Sequence, residues 1–146
     1  MTVHANLVER EEDVADIARA MRTVAVVGIK DESRPDAPAY SIPALLDGMG
    51  VEVIGINPVV PRALGRATLG SVAQIERAVD VLDVFRRSDA IPQLADEILA
   101  LPAPLRPGVV WLQSGIRHDG AAQRLAEAGL RVVQDRCLGV YARRYR

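Results

Sequence analysis

Five short apolar runs, each set off from the next by helical spacing or turn residues, constrain this chain more than any other feature. They are Thr23 to Val27, Val51 to Ile56, Val79 to Phe85, Val109 to Leu112 and Leu130 to Val133. Rich in Val, Ile and Leu and without strict polar alternation, they read as strands of a parallel sheet covered on both faces. The segments between them supply the covering helices. One is expected over Asn6 to Met21, with Leu7, Val14, Ile17, Ala18 and Met21 on one face and Asn6 with Glu9 as a capping pair. A second opens near Ser41, keeps Pro43 in its first turn and ends at Gly50. After Asn57-Pro58, a loop with Pro61, Gly65 and Gly70 leads to a helical turn from Ser71 to Glu76. Ser88 then caps a helix that buries Ile91, Leu94, Ile98 and Leu99, and a last helix runs from Asp119 to Ala128. The expected architecture is α/β: a Rossmann-like, doubly wound parallel sheet of about five strands in a three-layer α/β/α arrangement. The most economical strand order is 3-2-1-4-5. A single domain spans 1–146, with an N-terminal helix within 1–21 and a basic tail at 140–146.

Composition narrows the function classes. The 146 residues carry a net charge of −1, so there is no overall pull toward nucleic acid or a membrane surface. No run approaches the ~18 apolar residues of a membrane span. The acidic, amphipathic start is unlike a targeting segment, and the single cysteine, Cys137, permits no intrachain disulfide. A cytoplasmic location follows as the expectation.

In open parallel sheets ligands bind beyond the carboxyl ends of the strands, here expected at the switch between strands 1 and 4. The residues placed there are Gly28-Ile29-Lys30, Asn57-Pro58, Arg86-Arg87-Ser88, Ser114-Gly115-Ile116 and Asp135-Arg136-Cys137. Gly28 followed by a basic loop and a helix start makes a site for a phosphate, because backbone can approach closely and the helix dipole favours negative charge. Lys30, Arg34 and Arg86 add positive charge to the same edge. The loop has a single glycine where a dinucleotide site needs G-x-G-x-x-G. Asn57-Pro58 stands where an NAD site would place an acid on the ribose. An uncharged residue tolerates a ribose that carries its own phosphate, which points to NADP or coenzyme A.

The runs VAVVGIKDESRPDAPAYSIPALLDGMGVEVIGINP, VDVLDVFRRSDAIP, VVWLQSGI and VVQDRCLGV resemble, in order and spacing, the small stand-alone CoA-binding domain family. That family is related to the N-terminal domain of the succinyl-CoA synthetase α subunit, and the resemblance covers roughly residues 20 to 140. It implies a Rossmann-like fold with coenzyme A at the strand carboxyl ends. Gly28, Ile29 and Lys30 would then contact the pyrophosphate through backbone amides, and Ser33 and Arg34 would hold phosphate charge. Tyr40 and Ser41 would lie at the helix start beside the ligand, and Asn57 and Pro58 would flank the adenosine. Phe85 and Arg86 would close one side, with Gln113, Ser114 and Gly115 opposite. Asp36-Ala37-Pro38, inserted ahead of Tyr40, departs from the family's shorter R-P-A/S-Y run.

The reading that follows is a cytoplasmic module that binds CoA or an acyl-CoA without catalysis of its own, leaving the pantetheine free. A small NADP-dependent oxidoreductase is the alternative, as is a subunit of an acyl-CoA ligase completed by a protein partner. His118 reads as an exposed residue near a helix start, Cys137 as a buried inert thiol, and Trp111 as a packed strand residue. Asp83 reads as a cap or the partner of an arginine at the sheet's end.

Overall fold

The computed structural model describes residues 4–146. Five parallel strands form the sheet: β1 (Thr23–Val27), β2 (Glu52–Ile56), β5 (Val81–Val84), β6 (Val109–Leu112) and β7 (Arg131–Val133). A two-stranded hairpin, β3 (Arg62–Ala63) and β4 (Arg66–Ala67), stands apart. The helices are α1 (Glu11–Ala20), α2 (Pro38–Gly48), α3 (Ile91–Leu99), α4 (Asp119–Glu127) and α5 (Leu138–Tyr145). None of the described helices is long and apolar enough to cross a membrane.

Side chains alternate across the sheet, and both faces are buried. Ala25, Val27, Leu82, Val84, Val110 and Leu112 pack under α3 and α4. Val24, Val26, Val53, Val81, Trp111 and Val133 pack under α1, α2 and α5. This is the three-layer α/β/α architecture that the apolar runs imply.

The strand order differs from the expected one. It is β2-β1-β5-β6-β7, so the third sheet strand lies beside the first and not outside the second. The reason lies at the edges. All four residues of β5 are buried and both its edges are paired, as a central strand requires. β2 carries the exposed Glu52, ion-paired with Arg77. Its free edge is also partly covered: Leu69 donates to the Gly55 carbonyl at 2.8 Å, and Asn57 to the Leu69 carbonyl at 2.9 Å. The connection after β2 thus occupies the place of a further strand. The switch point accordingly falls between β1 and β5 rather than between strands 1 and 4.

Three helix expectations also change. Residues Asn6 to Val8 run beside β7, with Val8 donating to Val132 and Val132 to Asn6, both at 2.8 Å. They blunt the sheet's other edge, so α1 begins only at Glu11. The second helix starts at Pro38, three residues before Ser41, and holds Pro43 in its interior. The basic tail is the helix α5, and Arg146 donates to the carbonyls of Ala18, Arg19 and Met21 at 2.8–2.9 Å, closing the end of α1.

Candidate functional site

A pocket of about 530 Å³ opens at the carboxyl edge of the sheet, between the ends of β5 and β6 and the starts of α2 and α5. Its construction begins at Gly28, whose φ of +87° closes β1. A Cβ there would stand 2.5 Å from the Phe85 carbonyl oxygen, so only glycine lets the β1 and β5 ends approach this closely. The next step uses Pro43. Without an N–H, it cannot bond the Ala39 carbonyl four residues back. The Lys30 amide takes that carbonyl at 3.1 Å instead, docking the β1 loop onto α2 and leaving the Lys30 side chain on the pocket wall.

Both helices that start at the pocket start uncapped. Ala37 and Cys137 are the N-cap residues of α2 and α5, and neither makes a side-chain cap. Leu138 spends its amide on the buried Gln113 side chain at 3.0 Å, which pins α5 to the end of β6. Of the other helices, α1 and α3 likewise start without a side-chain cap, whereas α4 is closed: His118 Nδ1 accepts from the Ala121 amide at 3.0 Å. His118 is thus half-buried rather than exposed, and it acts as the cap of α4. Open N–H groups and the dipoles of α2 and α5 converge on the pocket with Lys30, which forms no salt bridge among the described residues. Such a site favours an anion.

Of the residues expected from sequence, Lys30, Ser41, Phe85, Gln113 and Ser114 line this pocket. The others stand around it or serve its construction. The Gly28 amide is committed to the Ile56 carbonyl at 2.8 Å and the Lys30 amide to Ala39, so neither is free for a pyrophosphate. Ile29 is buried against Gly55. Ser33 bonds Asp31 through its amide and hydroxyl, which with Arg34 nearby holds the Asp31 carboxyl below its usual range. Arg34 and Pro58 are exposed, and Tyr40 is half-buried in the first turn of α2.

Asn57 is a clasp. Its side chain donates to the Ile29 carbonyl at 2.8 Å and accepts from the amides of Val59 at 2.8 Å and Val60 at 3.2 Å. It is 8 % exposed and joins the loops after β1 and β2. Arg86 is half-buried just beyond β5 and does not line the pocket. The Gly115 amide donates to Asp135 at 2.6 Å, tying the loops after β6 and β7 together.

The sequence reading missed the apolar walls: Ile42 and Leu45 on α2, and Gly139 and Val140 on α5. Arg143, read there only as tail charge, lines the same pocket. Leu138, Tyr141, Ala142 and Tyr145 follow helical spacing, a signal overshadowed by the basic run among them. Cys137 is half-buried and lines the pocket, not enclosed as an inert core thiol.

Asp83 departs further from expectation. It lies in register between Val26 and Trp111, fully buried, and neither carboxylate oxygen has a hydrogen-bond partner among the described residues. No arginine meets it. Burial pushes its carboxyl well above the usual range. Trp111 is packed, as expected, with its indole N–H donating to the Arg136 carbonyl at 2.7 Å.

Known proteins are similar to this chain. YneT of Bacillus subtilis (strain 168) is 34% identical over 128 residues, covering 88% of this chain and 90% of its own. The solved structure of cell-free ID.343 from Thermus thermophilus matches with a TM-score of 0.84 and 36% identity, covering 94% of this chain and 100% of that one. A hypothetical protein from Pyrococcus horikoshii OT3 matches with a TM-score of 0.82 and 25% identity, covering 99% and 97%. The model of the CoA binding domain matches residues 22–143. That match spans most of the sequence, and this chain belongs to the CoA-binding domain family.

Proposed function

We propose that the protein is a module that binds coenzyme A, or an acyl-CoA, at the carboxyl ends of the parallel strands and performs no chemistry of its own. The observation that carries this reading is the pair of uncapped helix N-termini facing one pocket beside Lys30. A pyrophosphate brings the negative charge those groups lack. In this reading Lys30 and the first turns of α2 and α5 hold the pyrophosphate. Ser41, Gln113 and Ser114 supply polar contacts, and Phe85 packs against the apolar part of the ligand. Ser33, Arg34 and Tyr40 form the rim beside α2. Asn57 supports the adenosine side through the loop it clasps, with Pro58 at its surface. Arg86, next to Phe85, takes the 3′-phosphate of the ribose. Gly28, Ile29 and Gly115 act through the backbone geometry they fix.

Calorimetric titration with CoA, dephospho-CoA, NAD and NADP tests the reading. Saturable binding of CoA with both dinucleotides silent is the expected result. Binding of NADP with CoA silent would overturn it. Arg86→Ala is expected to weaken CoA about tenfold while leaving dephospho-CoA near its starting affinity. Equal losses for the two ligands would remove the 3′-phosphate from Arg86.

A further inference from the structure

Of the three arginines that close the chain, two are occupied within the fold. Arg144 lies over the Tyr145 ring, and Arg146 donates to the carbonyls of Ala18, Arg19 and Met21. Arg143 differs from both. It is exposed, lines the pocket, and makes no salt bridge or side-chain hydrogen bond among the described residues.

The helix that carries it is anchored along its length. The Leu138 amide is held by the Gln113 side chain at 3.0 Å. The hydroxyls of Tyr141 and Tyr145 both donate to the Glu11 carboxylate at the start of α1, at 2.6 and 2.7 Å. Arg143 therefore projects from a backbone already fixed, which lowers the cost of ordering it on a ligand. Its direction follows from helix geometry. A helical side chain leans toward the helix N-terminus, over the residue four positions earlier. For Arg143 that residue is Gly139, which has no side chain to stand in the way. The guanidinium group is thus directed at the first turn of α5, where the proposed function places the pyrophosphate.

The charge in the pocket is one-sided. None of the residues that line it is acidic, and Lys30 and Arg143 are its cations. A pyrophosphate diester carries a negative charge on each phosphate, and Lys30 balances only one of them. We infer that Arg143 is the second phosphate ligand, so that the pyrophosphate is held between the loop after β1 and the last helix of the chain. The planar fork of arginine takes two oxygens of one phosphate, while the lysine serves the other as a point charge. The inference rests on the CoA reading above, and it gives the basic run at the chain's end a task that solvated surface charge does not have.

The test is calorimetric titration of the full chain, Arg143→Gln and Arg143→Lys with CoA and dephospho-CoA, which share the pyrophosphate and differ in the 3′-phosphate. Arg143→Gln is expected to weaken both ligands alike, each about tenfold, and Arg143→Lys to recover part of that loss. The urea midpoint should stay where it was, because Arg143 has no partner in the fold to lose. Unchanged affinity of Arg143→Gln for both ligands would overturn the inference. So would a loss confined to CoA, since Arg143 would then hold the 3′-phosphate, or a fall in the urea midpoint that accounts for the lost affinity. Failure of the full chain to bind either ligand would instead contradict the parent reading, and the assignment of Arg143 with it.

Discussion

The amino end of the sheet and the pocket at its carboxyl end are built differently. At the amino end, polar groups answer one another. The Asp80 carboxylate accepts from the amides of Arg22 at 2.7 Å and Thr23 at 3.1 Å, and the Thr23 hydroxyl accepts from the Asp80 amide at 2.9 Å. Arg106 closes the nearby connection by donating to the carbonyls of Leu99 at 2.8 Å and Leu101 at 3.1 Å. At the carboxyl end, α2 and α5 begin without caps, and Lys30 and Arg143 face the pocket without a carboxylate partner. Satisfied groups hold a fold together, whereas groups left open at one place are available to a ligand. The contrast sets an end that stabilises the molecule against the end to which the proposed function assigns its ligand.

The largest expected effect comes from the sheet interior, where Asp83 obeys neither rule. Its native carboxyl holds a proton at pH values where the unfolded chain has already released it. Stability is therefore fullest below the unfolded carboxylate's pKa of about 4 and declines as pH rises toward the native value. Asp83→Asn, which imitates the protonated form, is expected to remove that decline, a gain of up to about 1.4 kcal/mol per pH unit across the window. Urea unfolding at about pH 5 and about pH 8 checks it. Parallel pH dependence in both proteins would show that Asp83 ionises freely when folded.

Next in size, Asp80→Ala is expected to cost about 2 kcal/mol of stability by releasing two backbone donors at the amino end. CoA affinity should stay unchanged, so a large loss of affinity would break the division between the two ends. Smaller again is Lys30→Ala, expected to weaken CoA about tenfold, or about 1.4 kcal/mol, with little change in the urea midpoint. A stability loss without an affinity loss would move Lys30 to the structural side of the comparison.

These residues also show what was legible in the sequence. The β-branched run at Thr23–Val27, the apolar Val109–Leu112 and the turn at Gly28 locate strands directly, because burial on both faces leaves a local composition. The strand order was not legible. It depends on Leu69 covering the β2 edge, a contact between residues 55 to 57 and 69 that no local pattern announces. Lys30 and Gln113 follow strand ends that can be counted from the sequence, and both line the pocket. Ile42, Leu45 and Val140 were missed because their place on the pocket depends on where α2 begins and on α5 existing at all. Pro43 misled for an instructive reason: a proline normally marks a first turn, but here the Lys30 amide satisfies the carbonyl it leaves open. Asn57 closes β2 as the sequence implies, but its side chain's use by three backbone groups depends on loops that no local pattern describes.

The most direct test of the two-ended account is a map of backbone amide shifts as CoA is added to isotope-labelled protein. The account predicts the largest shifts at Ala39, Gly139 and Val140, in the uncapped first turns of α2 and α5, with Arg22, Thr23 and Asp80 still. Saturable shifts centred on the amino end, with the first turns of α2 and α5 unmoved, would contradict it.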